Sequence, residues 1–110
     1  MGKEKTLNRD ILQAAIEKSR IEWQRHALER ILERGISRQD VFNVLLTGEE
    51  IEDYPNDTPF PSALLFGWKG HEPIHVVVVL DSIGQQGYII TVYRPDLEHF
   101  NSDFRTRRNR

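Results

Sequence analysis

The sequence predicts a single α+β domain, 1–110, in which two or three N-terminal helices pack on a four-stranded antiparallel sheet. Helical periodicity fills the first part of the chain, and segments rich in β-branched and aromatic residues begin at about residue 50. Short turn-forming sequences separate these later segments, which favours antiparallel neighbours. At 110 residues the chain is long enough for one hydrophobic core, and no second domain fits.

Three segments have amphipathic helical spacing and recognisable ends. Asn8 or Thr6 suits the cap of the first helix, and Gly35 has the position of a left-handed cap after the second. Ser37 and Asp40 are spaced as reciprocal caps at the start of the third helix. We therefore expect helices at 7–18, at about 24–34 and at 38–47.

Extended structure is expected in two places. Between the first two helices, "SRIEW" combines β-branched and aromatic residues, so either the helix continues through it or a short extended joint redirects the chain. We favour the joint. After the third helix, four segments read as strands of an antiparallel meander: "EIEDY", "SALLFGWK", "PIHVVVVLD" and "YIITVYRP".

Composition and charge exclude several classes of function. The chain has no cysteine, which excludes a disulfide framework, thiolate metal sites and a thiol nucleophile. Its formal net charge of −2 argues against nucleic-acid binding driven by charge alone. No apolar segment is long enough to span a bilayer, and "MGKEKTLNRD" lacks the apolar stretch of a signal peptide. We expect a soluble cytoplasmic protein with no membrane partner.

The charge is unevenly distributed along the chain. "GEEIEDYPND" carries five acidic residues and no basic one, whereas "DFRTRRNR" carries four arginines against one aspartate. A solvated acidic edge strand and a disordered tail would explain both segments without any function. The functional alternative is a flexible basic tail at about 103–110, in which Arg105, Arg107 and Arg108 contact RNA or an acidic partner.

One polar stripe borders the apolar face of the second helix. At about 100° per residue, His26, Arg30 and Arg34 fall in one sector, and Trp23 projects into the same sector. Arginines at such a border usually cover apolar surface with their stems and leave their charged groups in water. The alternative is a cationic edge facing the rim of the sheet, with Arg34 and Trp23 as substrate-binding residues.

Two strands contain polar residues where apolar ones are expected. His75 interrupts the apolar run "PIHVVVVLD", and Thr91 and Tyr93 share a face of the last strand with Ile89. A buried, hydrogen-bonded histidine and ordinary strand propensity would explain these residues without function. If the helix crosses the adjacent strands, however, its polar border and these side chains meet in one cleft.

Such a cleft would contain the groups needed to cleave a phosphodiester without a metal. His26 and His75 would share the base and acid roles, because imidazole titrates near neutral pH. Arg30 would neutralise the phosphate, and Thr91 and Tyr93 would orient it by hydrogen bonds. We expect neither a metal nor a cofactor. The alternative is a non-catalytic module that binds RNA or an acidic protein. His71 and His99 are assigned to solvent, because neither has a metal-ligand partner at suitable spacing.

The segments "RHALERILERGISRQDVFNVLLTGEEIEDYP", "PSALLFGWKG", "PIHVVVVLD" and "IITVYRPD" resemble the domain-of-unknown-function 4258 family over about residues 22–97. The resemblance implies a BECR-type fold, related to the RelE-like toxins and more distantly to barnase. It implies the toxin half of a type II toxin–antitoxin pair, acting as an endoribonuclease. The family pattern falls on His26, Arg30, Arg34, His75, Thr91 and Tyr93.

The expected partners follow from the same resemblance. They are RNA and a zinc-finger antitoxin of the MqsA type, and a homodimer is a further alternative. RelE-like ribonucleases that cut on the ribosome are strongly basic, whereas this chain is mildly acidic. Free RNA is therefore a more suitable substrate than the ribosome.

Overall fold

The computed structural model describes residues 7–108, which form an α+β domain of three helices and a five-stranded mixed sheet. The sheet order is β1-β5-β4-β3-β2, with β1 parallel to β5 and the other neighbours antiparallel. In chain order, the elements are α1 (Arg9–Glu17), β1 (Ile21–Trp23), α2 (Arg25–Arg34), α3 (Arg38–Thr47), β2 (Glu49–Tyr54), β3 (Ser62–Lys69), β4 (Glu72–Asp81) and β5 (Gln86–Tyr93).

The prediction of four antiparallel strands is wrong by one strand. The extended joint expected in "SRIEW" is β1, and it pairs in parallel with β5. Backbone hydrogen bonds from Gly87 N to Arg20 O and from Gln24 N to Ile89 O, both 3.0 Å, flank this pairing. A three-residue strand carries too little periodicity to be recognised alone, and its partner lies more than 60 residues later in the chain.

The helix ends follow the predicted capping residues. Asn8 caps α1 by accepting a hydrogen bond from Ile11 N at 3.1 Å. Ser37 and Asp40 form the reciprocal box that starts α3. Gly35 ends α2 with φ of 66°, a left-handed conformation that costs little only for glycine. The alternative cap Thr6 lies outside the described residues.

The three helices cover one face of the sheet, which we call the inner face. Ala27 and Ile31 of α2 and Val41 of α3 are buried there against the strands. Gly67 of β3 allows close approach, because a Cβ at this position would lie 2.7 Å from a methyl group of Val44. Among residues 7–108, no helix is long and apolar enough to cross a membrane.

A bulge changes the expected face pattern of β5. Val77 pairs with Thr91 and Val78 pairs with Ile89, so Ile90 is the extra residue. Ile89 therefore belongs to the inner-face core, whereas Thr91 and Tyr93 lie on the opposite, outer face. The expectation that all three share a face is wrong for Ile89.

Residues 95–108, which we call the strap, pack on the outer face. Phe100 is buried there against His75, and Phe104 lies against Phe66. Asn101 N donates to Thr106 O at 2.8 Å and Arg108 N to His99 O at 2.9 Å, so the strap folds back on itself. The sequence predicts a free tail from about 103, but residues 103–108 belong to the strap; 109 and 110 lie outside the described residues.

Candidate functional site

An open cleft of about 430 Å³ lies where α2, the end of β5 and the strap meet, and we call it the arginine cleft. Four guanidinium groups line it, those of Arg30, Arg34, Arg94 and Arg107. The other lining residues are Tyr93, Asp96, His99 and Phe100. Asp96 is the one carboxylate among these residues, while Glu72 and Glu52 outside the lining pair with Arg94 and Arg107. The remaining excess of positive charge makes the cleft suitable for an anion.

Arg30 and Arg34 are the two cations of the cleft whose side chains have no partner within residues 7–108. They lie one turn apart on α2, whose inner side is anchored by the buried Ala27 and Ile31. This anchoring turns the polar border of the helix towards the end of β5. Neither side chain makes a hydrogen bond or ion pair with the described residues, so both are free to bind a ligand.

Arg94 and Arg107 are instead held in place by the protein. Arg94 Nη2 donates to Arg34 O at 2.8 Å and to Glu72 Oε2 at 2.7 Å, which ties the end of α2 to β4. Arg107 Nε donates to Glu52 Oε2 at 2.8 Å. These two cations form a fixed wall, whereas the two on α2 are unpaired.

His99 and Asp96 form an oriented pair in the strap. Asp96 Oδ1 accepts a hydrogen bond from His99 Nδ1 at 2.8 Å and from the backbone N–H of His99 at 2.9 Å. The side-chain hydrogen bond from His99 lowers the pKa of Asp96, so the carboxylate stays ionised. When Nδ1 carries the proton of a neutral imidazole, Nε2 is the acceptor. The pair is therefore arranged as a general base.

His75 lies beneath the cleft and orients Tyr93. Its Nε2 is 2.7 Å from Phe104 O, and a carbonyl only accepts, so Nε2 carries the proton. Burial lowers the pKa of His75 and keeps the ring neutral, so Nδ1 accepts from Tyr93 Oη at 3.2 Å. Phe104 has φ of 58°, a strained conformation for a residue other than glycine. The strap thus fixes the tyrosine through one imidazole.

The structure brings together some of the predicted site residues. Arg30, Arg34, Tyr93 and Arg107 line the arginine cleft. The expectation that His75 also faces the cleft is wrong, because its side chain is fully buried and both ring nitrogens have partners. His75 fits the alternative of a hydrogen-bonded core histidine. His26 is exposed one turn before Arg30 and lies outside the residues that line the cleft.

The other predicted residues lie elsewhere. Thr91 is half-buried on the outer face, paired with Val77. Trp23 packs against Phe42 with ring centroids 5.9 Å apart, in a separate groove beside β1. Arg105 and Arg108 also lie outside the cleft: Arg105 pairs with Glu49, and Arg108 donates to Leu97 O at 2.6 Å. The substrate-binding roles of these residues stay predictions.

Sequence reasoning missed Asp96, His99 and Arg94. His99 is exposed, as expected, but it also lines the cleft. The signal was present in "PDLEH", where Asp96 precedes His99 by three residues, the spacing of a turn closed by an aspartate. The role of these residues was not predictable, because no local sequence pattern indicates that the strap folds back towards α2.

Within residues 7–108, no group of three or more histidine, aspartate or glutamate side chains could hold a metal ion.

Comparison with known proteins identifies the family of this chain. The family model described as "Domain of unknown function (DUF4258)" matches residues 23–94. The chain belongs to this family. The matched region includes α2 and β5 and ends at Arg94, so it contains one side of the arginine cleft and stops before the strap. No curated protein and no solved structure gives a significant match.

Proposed function

We propose that this member of the DUF4258 family is a metal-independent endoribonuclease and that the arginine cleft is its active site. The observation that carries the proposal is the presence, in one open cleft, of an aspartate-oriented imidazole and two guanidinium groups that pair with none of the described residues. A guanidinium group binds phosphate oxygens in bidentate geometry, and an imidazole exchanges protons near neutral pH. Together they supply proton transfer and charge stabilisation for attack on a phosphodiester.

In the proposed reaction, His99 Nε2 removes the proton from the ribose 2′-hydroxyl, and Asp96 stabilises the imidazolium that forms. The 2′-oxygen then bonds to phosphorus, and the bond from phosphorus to the 5′-oxygen breaks. Arg30 and Arg34 neutralise the non-bridging oxygens in the transition state. The products are a 2′,3′-cyclic phosphate and a 5′-hydroxyl, and DNA is not cut because it lacks the nucleophile.

The leaving 5′-oxygen needs a proton, and the proposed donor is His26, which lies outside the lining of the cleft and is reached by an RNA strand that extends from the cleft along α2. This exposed imidazole lies about 6 Å along the helix axis from Arg30, given the rise of 1.5 Å per residue.

Two further residues support the site without transferring protons in the reaction. His75 is a positioning residue that holds the Tyr93 hydroxyl, which differs from the acid or base role expected from the sequence. One further donor suits an anion, because Arg94 Nε is buried without a hydrogen-bond partner among the described residues.

The biological role is also a proposal. The resemblance to RelE-like toxins implies a BECR-type fold, a toxin acting on cytoplasmic RNA, and an antitoxin of the MqsA type as partner. The order of helices followed by the antiparallel strands β2–β5 supports that relation. The parallel strand β1 is an addition to the four-stranded sheet that the resemblance implies. Free RNA remains the proposed substrate, because the net charge of −2 gives little general attraction to the ribosome.

Cleavage of short labelled RNA in excess EDTA tests this proposal. We expect wild type to leave cyclic phosphate and 5′-hydroxyl ends, and His99→Ala and His26→Ala each to be slower by roughly a hundredfold. His71→Ala is the control, because His71 is exposed in the turn between β3 and β4. Binding without cleavage by wild type would favour a non-catalytic module. Cleavage that survives both substitutions would show that other residues carry the reaction.

A further inference from the structure

A second pocket, of about 340 Å³, opens on the other side of the strap between α3 and the end of β3. Trp68 forms one wall and is 52% exposed, more than is usual for tryptophan, which is highly buried on average. We call this the Trp68 pocket. Its volume is within the range of small-ligand sites, so it can accept a group of the size of a nucleobase.

The aromatic neighbours of Trp68 fix its ring. Phe66 lies on one side with centroids 5.3 Å apart, and Phe104 of the strap meets the ring edge-on at 6.2 Å. These contacts hold the indole while about half of its surface stays in solvent. A fixed, exposed indole is a platform on which any base can stack.

Polar groups surround this platform. Asn43 and Thr47 of α3 line the pocket. The Thr47 hydroxyl donates to Asn43 O at 2.7 Å and Asn43 Oδ1 accepts from Gln39 at 3.2 Å, so towards a planar ligand the Asn43 amide nitrogen can donate and the Thr47 oxygen can accept. Arg105 forms part of the lining and lies over the Phe66 ring, 4.8 Å from its centroid, while Glu49 holds its guanidinium group. The pocket thus combines an aromatic surface, hydrogen-bonding groups and the Arg105–Glu49 ion pair.

The Trp68 pocket and the arginine cleft lie on the same line across the sheet. Tyr93 pairs with His75, His75 with Phe66, and Phe66 with Glu49, so the cleft and the pocket sit at opposite ends of one row. With strands about 4.8 Å apart, the row spans about 14 Å, a distance that a few nucleotides cover. The strap carries a cation towards each site, Arg107 to the cleft and Arg105 to the pocket.

We propose that the Trp68 pocket binds one unpaired base of the RNA strand whose phosphate lies in the arginine cleft, by stacking on Trp68. This inference rests on the proposed function, because it takes the RNA strand as the ligand. It adds a subsite that would select single-stranded RNA, since a base within a duplex is already stacked and cannot enter the pocket.

Binding of a short 2′-O-methylated RNA, which 2′-attack cannot cleave, tests the subsite. A series of these strands carries a single abasic residue at successive positions. We expect one abasic position to weaken binding to wild type by about tenfold, the effect of one lost base stack. Trp68→Ala should weaken the intact strand equally and lose its sensitivity to that position. Trp68→Phe, which keeps a ring, should fall between the two.

Ile83→Ala is the matched control, because Ile83 is 99% exposed in the turn between β4 and β5, at the far end of the strands from Trp68. A position-dependent loss that persists in Trp68→Ala, or the absence of any such loss, would overturn the subsite. If the protein cuts RNA but binding ignores Trp68, only the subsite fails. If binding depends on Trp68 but RNA stays whole, only the nuclease proposal fails. No binding by any strand would overturn both.

Discussion

Two histidines illustrate how environment decides the role of a residue. His75 interrupts an apolar strand and is fully buried, and its two ring nitrogens serve the structure by joining Tyr93 to the strap. His99 is assigned to solvent from the sequence. In the structure it is exposed, as expected, but it also lines the cleft and is oriented by Asp96. His75, which stands out in the sequence, is therefore a packing residue, whereas His99, which does not stand out, is placed where it can transfer a proton.

The buried state of His75 predicts a pH-dependent stability. Burial lowers its pKa below the ordinary 6.5, so the unfolded chain binds this proton at a higher pH than the folded one. The free energy of unfolding should therefore fall as pH is lowered below about 6.5. Urea unfolding between pH 7 and pH 5 should show a smaller fall for His75→Gln. His71→Gln is the control for removing an exposed imidazole, and an unchanged slope in His75→Gln would contradict the assignment.

The unpaired guanidinium groups predict a salt-dependent affinity for RNA. Two phosphate contacts on a single strand contribute about 1.4 to the slope of log affinity against log salt concentration. Arg30→Ala combined with Arg34→Ala should reduce the measured slope by that amount. Arg25→Ala is the control, because Arg25 is 93% exposed and pairs with Glu29 outside the cleft. Equal slopes in the double variant and the control would remove these arginines from the RNA site.

At the scale of single elements, the sequence predicts much of the structure because the signals are local. Caps at Asn8, Ser37 and Gly35 bound the helices to within two residues of the predicted ends. The four long strands also lie where β-branched segments predict them. The bulge at Ile90 was not predictable, because it depends on how β5 pairs with β4 rather than on its own residues.

The backbone at the end of α2 positions one side of the cleft. Gly35 has φ of 66°, and Arg94 binds the carbonyl group of the preceding Arg34. Gly35→Ala should lower the free energy of unfolding by about 1 kcal/mol, because alanine is strained in this conformation. Gly35→Asn should cost less, because asparagine tolerates it better. Thermal unfolding measures both, and equal losses would show that backbone conformation is not the cause.

At the scale of the whole molecule, the strap completes the candidate site. It contributes Asp96, His99 and Arg107 to a cleft whose other side comes from α2 and β5. The contacts that hold it are distant in sequence: Arg105 binds Glu49 and lies 56 residues away from it. The sequence therefore predicted the α2 side of the cleft and Arg107 of the strap, but not Asp96 and His99, since only the folded chain brings the strap to α2.

Deletion of 105–110 tests the contribution of the strap. The ion pairs that it removes are Arg105 with Glu49 and Arg107 with Glu52. Three of these side chains are about half exposed and Glu52 is 20% exposed, so each pair contributes about 1 kcal/mol. The fold should persist by circular dichroism, whereas RNA affinity should fall at low salt because four arginines are lost, Arg105, Arg107, Arg108 and Arg110. RNA binding equal to that of the full chain would show that these arginines contribute nothing.

The central claim, that the arginine cleft is the RNA site, is tested most directly by NMR of the side chains. Titration with a 2′-O-methylated strand, which stays intact, should shift the imidazole signals of His99 and the guanidinium signals of Arg30 and Arg34. The signals of Arg25 and of the Ile83 side chain, which lie outside the cleft and outside the Trp68 pocket, should stay in place. Shifts at Arg25 and Ile83 with none at His99 would contradict the account, because RNA would then bind elsewhere on the surface.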